Sequence, residues 1–198
     1  MAEQSHDAES VRAMLCESAR VKQELAAQAS GAIAQAASLL VDAFRSGRKA
    51  LLFGNGGSAA DAQHLAAEWT GRLRGERRGL PAIALTANTS ELTALGNDYG
   101  FDRIFARLIE ALGNPGDVAI ALSTSGNSPN VLAGVAEARS RGLRTIGLSG
   151  RRGGKLAPAV ELALLVPSDD TQRIQESHIT IGHVLAELVE QALFPRRV

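Results

Sequence analysis

His64 and Glu68 stand four residues apart in the stretch Asp61-Ala62-Gln63-His64-Leu65-Ala66-Ala67-Glu68, which places an imidazole and a carboxylate one turn apart on one face of a helix. Such a pair can share a ligand or a proton. It can equally be an exposed helix pair worth about 0.2–0.5 kcal/mol. Toward the other end of the chain Gln175 and His183 are eight residues apart, about two turns, with directions that differ by about 80°. They converge on one ion only at a suitable helix crossing. Spacing alone equally offers Glu176 with His183, seven apart and nearly eclipsed. His178 points to another side of the same stretch and reads as structural, and His6 falls in a start read as disordered.

Two glycine- and serine-rich segments each follow a short apolar run. After Leu51-Leu52-Phe53 comes Gly54-Asn55-Gly56-Gly57-Ser58, with a helix expected from near Ala59. Glycines let backbone approach an anion, and a helix start offers free N–H groups and a favourable dipole. A plain glycine turn with Ser58 as N-cap accounts for the same residues. Neither the dinucleotide fingerprint nor the P-loop lysine is present. After Val118 to Leu122 comes Ser123-Thr124-Ser125-Gly126-Asn127-Ser128, followed by Pro129, a residue tolerated in a first helical turn. A capping box needs one hydroxyl, and this segment has four. Hydroxyls and free N–H groups without a lysine suit a phosphate monoester on a small metabolite, held without Mg²⁺.

The elements that must position these residues follow from periodicity. Glu9 to about Ser46 carries two apolar sets at helical spacing, Val11, Met14, Leu15, Val21 and Leu25, then Ile33, Ala37, Leu40, Val41 and Phe44. Two helices with a break near Ser30-Gly31 are expected, with Ser18 a misfit on the first apolar face. Ala50 to Phe53, Ala82 to Leu85, Val118 to Leu122, Thr145 to Leu148 and Leu162 to Val166 read as five buried strands. Helical stretches at Ala59 to Leu73, Asp102 to Leu112 and Pro129 to Arg141 alternate with them, and a long helix runs from about Thr171 to Leu193. That alternation predicts an α/β fold, a parallel sheet flanked by helices, with ligands outside the carboxyl ends of the strands. The polar segment Gly71 to Gly79, with Arg72, Arg74, Arg77 and Arg78, reads as a loop.

Composition narrows the function classes. Lys+Arg and Asp+Glu number 21 each and aromatics make up 4% of the 198 residues, so the basic surface and stacking side chains of a nucleic-acid binder are missing. The length fits one domain. Residues 1–8 are expected to be disordered, 9–46 to form the N-terminal helices, and 49–198 the α/β core with its C-terminal helix. Cys16 is the only cysteine and has no internal disulfide partner. An acidic N-terminus and the lack of a long apolar run lead to the expectation of a cytoplasmic protein without a membrane span.

In their order along the chain, Gly54-Asn55-Gly56-Gly57-Ser58, Asp61-Ala62-Gln63-His64 with Glu68, Gly96-Asn97-Asp98 and Ser123-Thr124-Ser125-Gly126-Asn127-Ser128 resemble the sugar isomerase (SIS) domain family. Arg173-Ile174-Gln175-Glu176-Ser177-His178 and His183 make the chain similar to those members that isomerise sedoheptulose 7-phosphate. One departure is Arg78, where members often carry proline after the arginine. The resemblance implies a single SIS domain, a Rossmann-like three-layer sandwich with a five-stranded parallel sheet. It implies an aldose-ketose isomerase that converts sedoheptulose 7-phosphate to D-glycero-D-manno-heptose 7-phosphate through an enediol, the first step of nucleotide-activated heptose synthesis.

The resemblance also decides between Gln175 and Glu176. It assigns one Zn²⁺ per subunit to His64, Glu68, Gln175 and His183, a donor set compatible with zinc but less selective than cysteines. It makes Glu68 the base at carbon and His183 the acid at oxygen. Asn55, Gly56, Gly57, Asn97, Asp98, Gln175 and Glu68 would hold the sugar, and Ser123, Thr124, Ser125 and Ser128 the phosphate. It further implies a homotetramer with active sites at subunit interfaces, helices of one chain completing the site of another. Two other kinds of SIS protein compete with this reading. One is a non-catalytic scaffold that binds a replication initiator and needs no metal site; the other is a phosphosugar sensor, which would want a DNA-binding segment.

Overall fold

The structure is a computed structural model that describes residues 7–195. Most of the stretch expected to be disordered, and His6 with it, lies outside the described residues. The elements in chain order are α1 (Ala8–Arg45), β1 (Ala50–Gly54), α2 (Gly57–Thr70), β2 (Ala82–Ala84), α3 (Thr89–Tyr99), α4 (Ile104–Leu112), β3 (Val118–Leu122), α5 (Pro129–Ser140), β4 (Arg144–Ser149), β5 (Leu162–Leu165) and α6 (Thr171–Leu193). The five strands lie at the expected apolar runs, and all neighbours are parallel, in the order β2-β1-β3-β4-β5.

Two helical expectations need correction. The N-terminal region is one helix of 38 residues with no break at Ser30-Gly31. A glycine inside a helix costs about 1 kcal/mol relative to alanine. Here the buried stripe Val21, Leu25 and Ala29 continues through Ile33, Ala36 and Leu40, and each large apolar side chain buried returns about 1.5–3 kcal/mol. Ser30 satisfies its hydroxyl inside the helix, donating to the Ala26 carbonyl at 2.6 Å. The misfit Ser18 bonds rather than packs: its hydroxyl donates to Glu176 Oε2 of α6 at 2.6 Å and accepts from Lys22. Val11, Met14 and Leu15 in the first turns are exposed.

The second correction is α3, a helix that periodicity misses because none of its residues is buried. Its start is made by a cap, the Asn88 side chain accepting from the N–H groups of Ser90 and Glu91. The next helix also begins later than expected, because Phe101–Arg103 forms a 3₁₀ turn ahead of α4.

Alternate strand residues serve opposite layers. Leu52, Ile120 and Leu148 pack with α1, α2 and α6, while Leu51, Phe53 and Ala121 pack with α4 and α5. From β1 the chain moves to one side for β2 and to the other for β3, so a crevice opens above the carboxyl ends of β1 and β3. The glycine segment 54–58 and the serine segment 123–128 border it.

Candidate active site

The helices α2 and α6 lie side by side and run in parallel, and small residues set their spacing. A Cβ on Gly57 would stand 2.5 Å from Gln175 Nε2, and one on Gly182 would stand 2.2 Å from Leu65 Cδ2. At Gly182, against the buried Leu65, a larger residue would force the helices apart, whereas at Gly57 the atoms in the way are the end of the Gln175 side chain. Next to this seam His64 Nε2 lies 3.1 Å from His183 Nε2 and 3.1 Å from Glu68 Oε1. Residues from both ends of the sequence thus form one cluster, with His64 and His183 exposed and Glu68 half-buried.

A ring N–H can point at one acceptor, so no tautomer satisfies both His64 contacts fully. A cation between the three groups would. Zinc ligands about 2.0–2.1 Å from one ion at a tetrahedral angle lie roughly 3.4 Å apart. The two 3.1 Å separations come close to that, and the three donor atoms all lie within 4.8 Å of one another. Two imidazoles and a carboxylate therefore fit a zinc ion. Gln175, the fourth expected ligand, lays its amide over Gly57 and makes no hydrogen bond with the trio.

One turn before His64, Asp61 has an unpartnered, buried Oδ2, and burial raises its carboxyl above the ordinary value while His64 pulls the other way. His178 is fully buried on α6, where burial pushes its imidazole down to about 4, the Ser149 backbone partly opposing. This agrees with its reading as a structural residue.

The crevice loops are built without conventional caps. Gly56, not Ser58, is the residue before α2, at φ +56°, and its carbonyl accepts from Ala59 and Ala60. Ser58 lies inside the helix and is buried, so it does not serve as N-cap. Asn55 exchanges two 2.8 Å hydrogen bonds with Asn130 at the start of α5, which ties the two loops together. In the serine segment Ser128 precedes Pro129, yet its side chain makes no capping bond. Its hydroxyl turns instead to the Ser123 hydroxyl at 3.1 Å. Thr124 gives its carbonyl to Gly150 N–H, and the exposed Ser125 accepts from Asn127 N–H. Gly126, at φ +66°, has no room for a side chain, since a Cβ would fall 2.1 Å from the Gly153 carbonyl oxygen.

Successive parts of α6 therefore face the serine loop, the start of α2 and the body of α2. A Cβ on Gly150 would meet both the Thr124 carbonyl and Ile174, which puts the first turn of α6 beside the serine loop. Gln175 follows at Gly57, and His183 lies about 12 Å further along the axis. Two expected residues are not brought in: Asn97 and Asp98 are exposed on α3, hydrogen-bonded to each other, and α3 packs against the 3₁₀ turn and α4. Glu68 and His183 meet within one chain, so a second subunit is not needed to unite them.

Periodicity gave no sign of Asn130 or Gly182, although a glycine next to His183 on a face otherwise apolar is a signal for close helix approach. The loop 71–79 is a loop as expected, and the arginine in it that matters is Arg77. Arg77 forms a buried ion pair with Glu190, Nε to Oε2 3.0 Å. Nothing in the sequence separates Arg77 from Arg72, Arg74 and Arg78.

Comparison with known proteins agrees with these features. Residues 15–150 match the family model described as the SIS domain. A curated phosphoheptose isomerase of Geobacter sulfurreducens is 57% identical over 185 residues, covering 93% of this chain and 98% of the relative. The structure of a phosphoheptose isomerase from Neisseria gonorrhoeae superposes with a TM-score of 0.88 at 46% identity, over 92% of this chain and 98% of that one. One from Francisella tularensis gives a TM-score of 0.89 at 39% identity, over 92% and 97%. The chain therefore belongs to the SIS domain family and, within it, to the phosphoheptose isomerases.

Proposed function

We propose that this chain isomerises sedoheptulose 7-phosphate to D-glycero-D-manno-heptose 7-phosphate, as the first step of nucleotide-activated heptose synthesis. The observation that carries the reading is the convergence of His64, Glu68 and His183 from two helices, α2 and α6, whose first turns border the crevice and its hydroxyls. A non-catalytic scaffold has no use for that cluster. The names of the relatives supply the substrate class.

In this reading the phosphate rests on Ser123, Thr124, Ser125 and Ser128, and the open sugar chain extends along α6 toward His183. Asn55, Gly56, Gly57 and Gln175 would line its path and bind hydroxyls, while Asn97 and Asp98, exposed on α3 and apart from these residues within one chain, would join them only from a neighbouring subunit of the assembly. Glu68 takes the proton from C1 on the oxygen not turned to His64, while His183 protonates O2, which gives the enediol. The O1 proton then passes to His183, and Glu68, its proton exchanged with solvent while the enediol lasts, delivers one to C2, leaving the aldose. Held by His64, Glu68 and His183, with Gln175 beside them, a zinc ion would supply Lewis acidity toward the carbonyl and hydroxyl. Anchoring the distant phosphate orients the reactive end.

We place the enzyme in the cytoplasm as a homotetramer with its active sites near subunit boundaries. Exposed Val11, Met14 and Leu15 on α1 and Val184 and Leu188 on α6 are apolar surface that assembly would cover. No described helix is long and apolar enough to cross a membrane.

Elemental analysis and turnover test the reading together. Purified protein should carry about one divalent ion per chain and convert the ketose, and His64→Ala or His183→Ala should lose the ion. Unchanged occupancy in both variants would remove the metal site, and absence of conversion by the zinc-loaded protein would remove the function.

A further inference from the structure

We propose that the Arg77–Glu190 ion pair is a positioning device for the site, locking the end of the helix that carries His64 and Glu68 to the helix that carries His183. The proposal rests on reading that trio as a metal site. Arg77 is 2% exposed and Glu190 10% exposed at their side chains, so both charges are desolvated. A buried ion pair adds little net stability over well-packed apolar residues, and fixing register is its best-attested use.

The bonding of the guanidinium indicates what register is fixed. Its Nε donates to Glu190 Oε2 at 3.0 Å. One terminal nitrogen donates to the Glu68 carbonyl at 2.7 Å, and the other to the carbonyls of Trp69 and Gly71, both at 2.9 Å. The last four carbonyls of a helix have no partner within it, and Glu68 and Trp69 supply two of those on α2. A cation there also faces the negative end of the helix dipole. Glu68 is thus held at two places, its carboxylate in the trio and its carbonyl by Arg77.

Glu190 completes the clamp from the α6 side. Its carboxylate accepts from the N–H groups of Leu73, Arg74 and Gly75 at 3.1, 3.0 and 2.9 Å, which wraps the 71–79 loop around it. His183 lies two turns back on the same face of α6. One ion pair therefore joins the backbone beside Glu68, the loop after α2, and the α6 face that presents His183. The Arg74–Glu187 pair outside it is exposed and adds little.

The test compares Arg77→Met and Glu190→Gln with wild type and with Ile109→Val, a cavity-forming control in the core on the opposite side of the sheet. Zinc affinity is read by competition with a chelator, and the visible spectrum of the cobalt(II)-substituted protein reports ligand geometry. Arg77→Met should weaken zinc binding about tenfold or more and change the cobalt spectrum, as loss of a supporting contact does elsewhere. Glu190→Gln should move both in the same direction, while Ile109→Val lowers the melting temperature and leaves both within about twofold. If Arg77→Met does not fold, the isosteric Glu190→Gln decides by the same criteria.

Zinc affinity and cobalt spectrum unchanged in the folded clamp variants would overturn the proposal, as would an equal loss in Ile109→Val. Wild-type protein that takes up no zinc would instead overturn the reading of the trio, and this proposal with it. Wild type that binds zinc and converts the sugar beside unaffected variants would remove the clamp alone.

Discussion

Gly182→Ala adds one methyl group at the seam between α2 and α6, and its consequence can be worked from distances. The new Cβ would lie 2.2, 2.6 and 2.9 Å from Cδ2, Cδ1 and Cγ of Leu65. Carbon atoms in contact sit about 3.5–4.0 Å apart, so the shortfall is roughly 1.3–1.8 Å at the worst contact. Leu65 is 1% exposed and cannot swing into solvent. The helices must separate or the core must repack, at about 1–3 kcal/mol. For a chain of this size each kcal/mol lowers the melting temperature by about 2–4 °C, which gives a fall of roughly 2–12 °C. His64 and His183 directly follow or precede the clashing residues, with Nε2 atoms 3.1 Å apart. An outward shift of about 1 Å takes them past the roughly 3.4 Å that one zinc ion can bridge. The folded variant should therefore lose most of its zinc on dialysis and lose about 100-fold in kcat. Adding Leu65→Ala removes the colliding atoms and should return zinc while lowering stability further. A Gly182→Ala protein with wild-type zinc content and turnover would refute the close-approach reasoning.

Ser123→Ala combined with Ser128→Ala should raise KM with little change in melting temperature, because the paired hydroxyls cap nothing; unchanged KM and kcat would remove the serine segment from phosphate binding. His178, held near a pKa of about 4 by burial against 6.5 unfolded, binds its proton in the unfolded chain first. Its share of stability is therefore complete above about pH 6.5 and is lost toward about pH 4, by at most about 1.4 kcal/mol per pH unit. Melts with chelator present at pH 7 and pH 5 should show a smaller drop for His178→Leu than for wild type. Mixtures of Glu68→Gln chains with His183→Gln chains should stay inactive, because each chain supplies both residues to its own cluster; recovered activity would show that these residues are shared between subunits.

The five strands were legible because each is a short apolar run bounded by polar, Gly or Pro residues, and the central strands β1 and β3 are buried along their whole length. The continuity of α1 was not, because its decisive contacts are with α6, more than 100 residues away; a local reading sees only Ser30-Gly31. α3 escaped for the opposite reason: only Leu92 and Leu95 lean on the core, both partly buried, which is too short a stripe to set a period. The residue types of the trio were legible, and the spacing of His64 with Glu68 was enough to pair them. Spacing could not choose between Gln175 and Glu176 or bring His183 to His64, since both depend on how α2 crosses α6. The structure turns Glu176 to Ser18 and Gln175 to Gly57, a division that needs the helix packing. Arg77 stood among four arginines of one polar segment, and only its three-dimensional partner Glu190 distinguishes it.

The central claim is that Glu68 moves a proton on the carbon chain of sedoheptulose 7-phosphate. An NMR time course of the zinc-loaded protein with that sugar in D₂O tests it most directly, run beside Glu68→Gln of matched zinc content. Wild type should produce the aldoheptose 7-phosphate with solvent deuterium entering at C2, and Glu68→Gln should produce orders of magnitude less because an amide cannot accept the carbon-bound proton. No aldose from wild type, or equal rates of conversion and deuterium uptake by the two proteins, would contradict it.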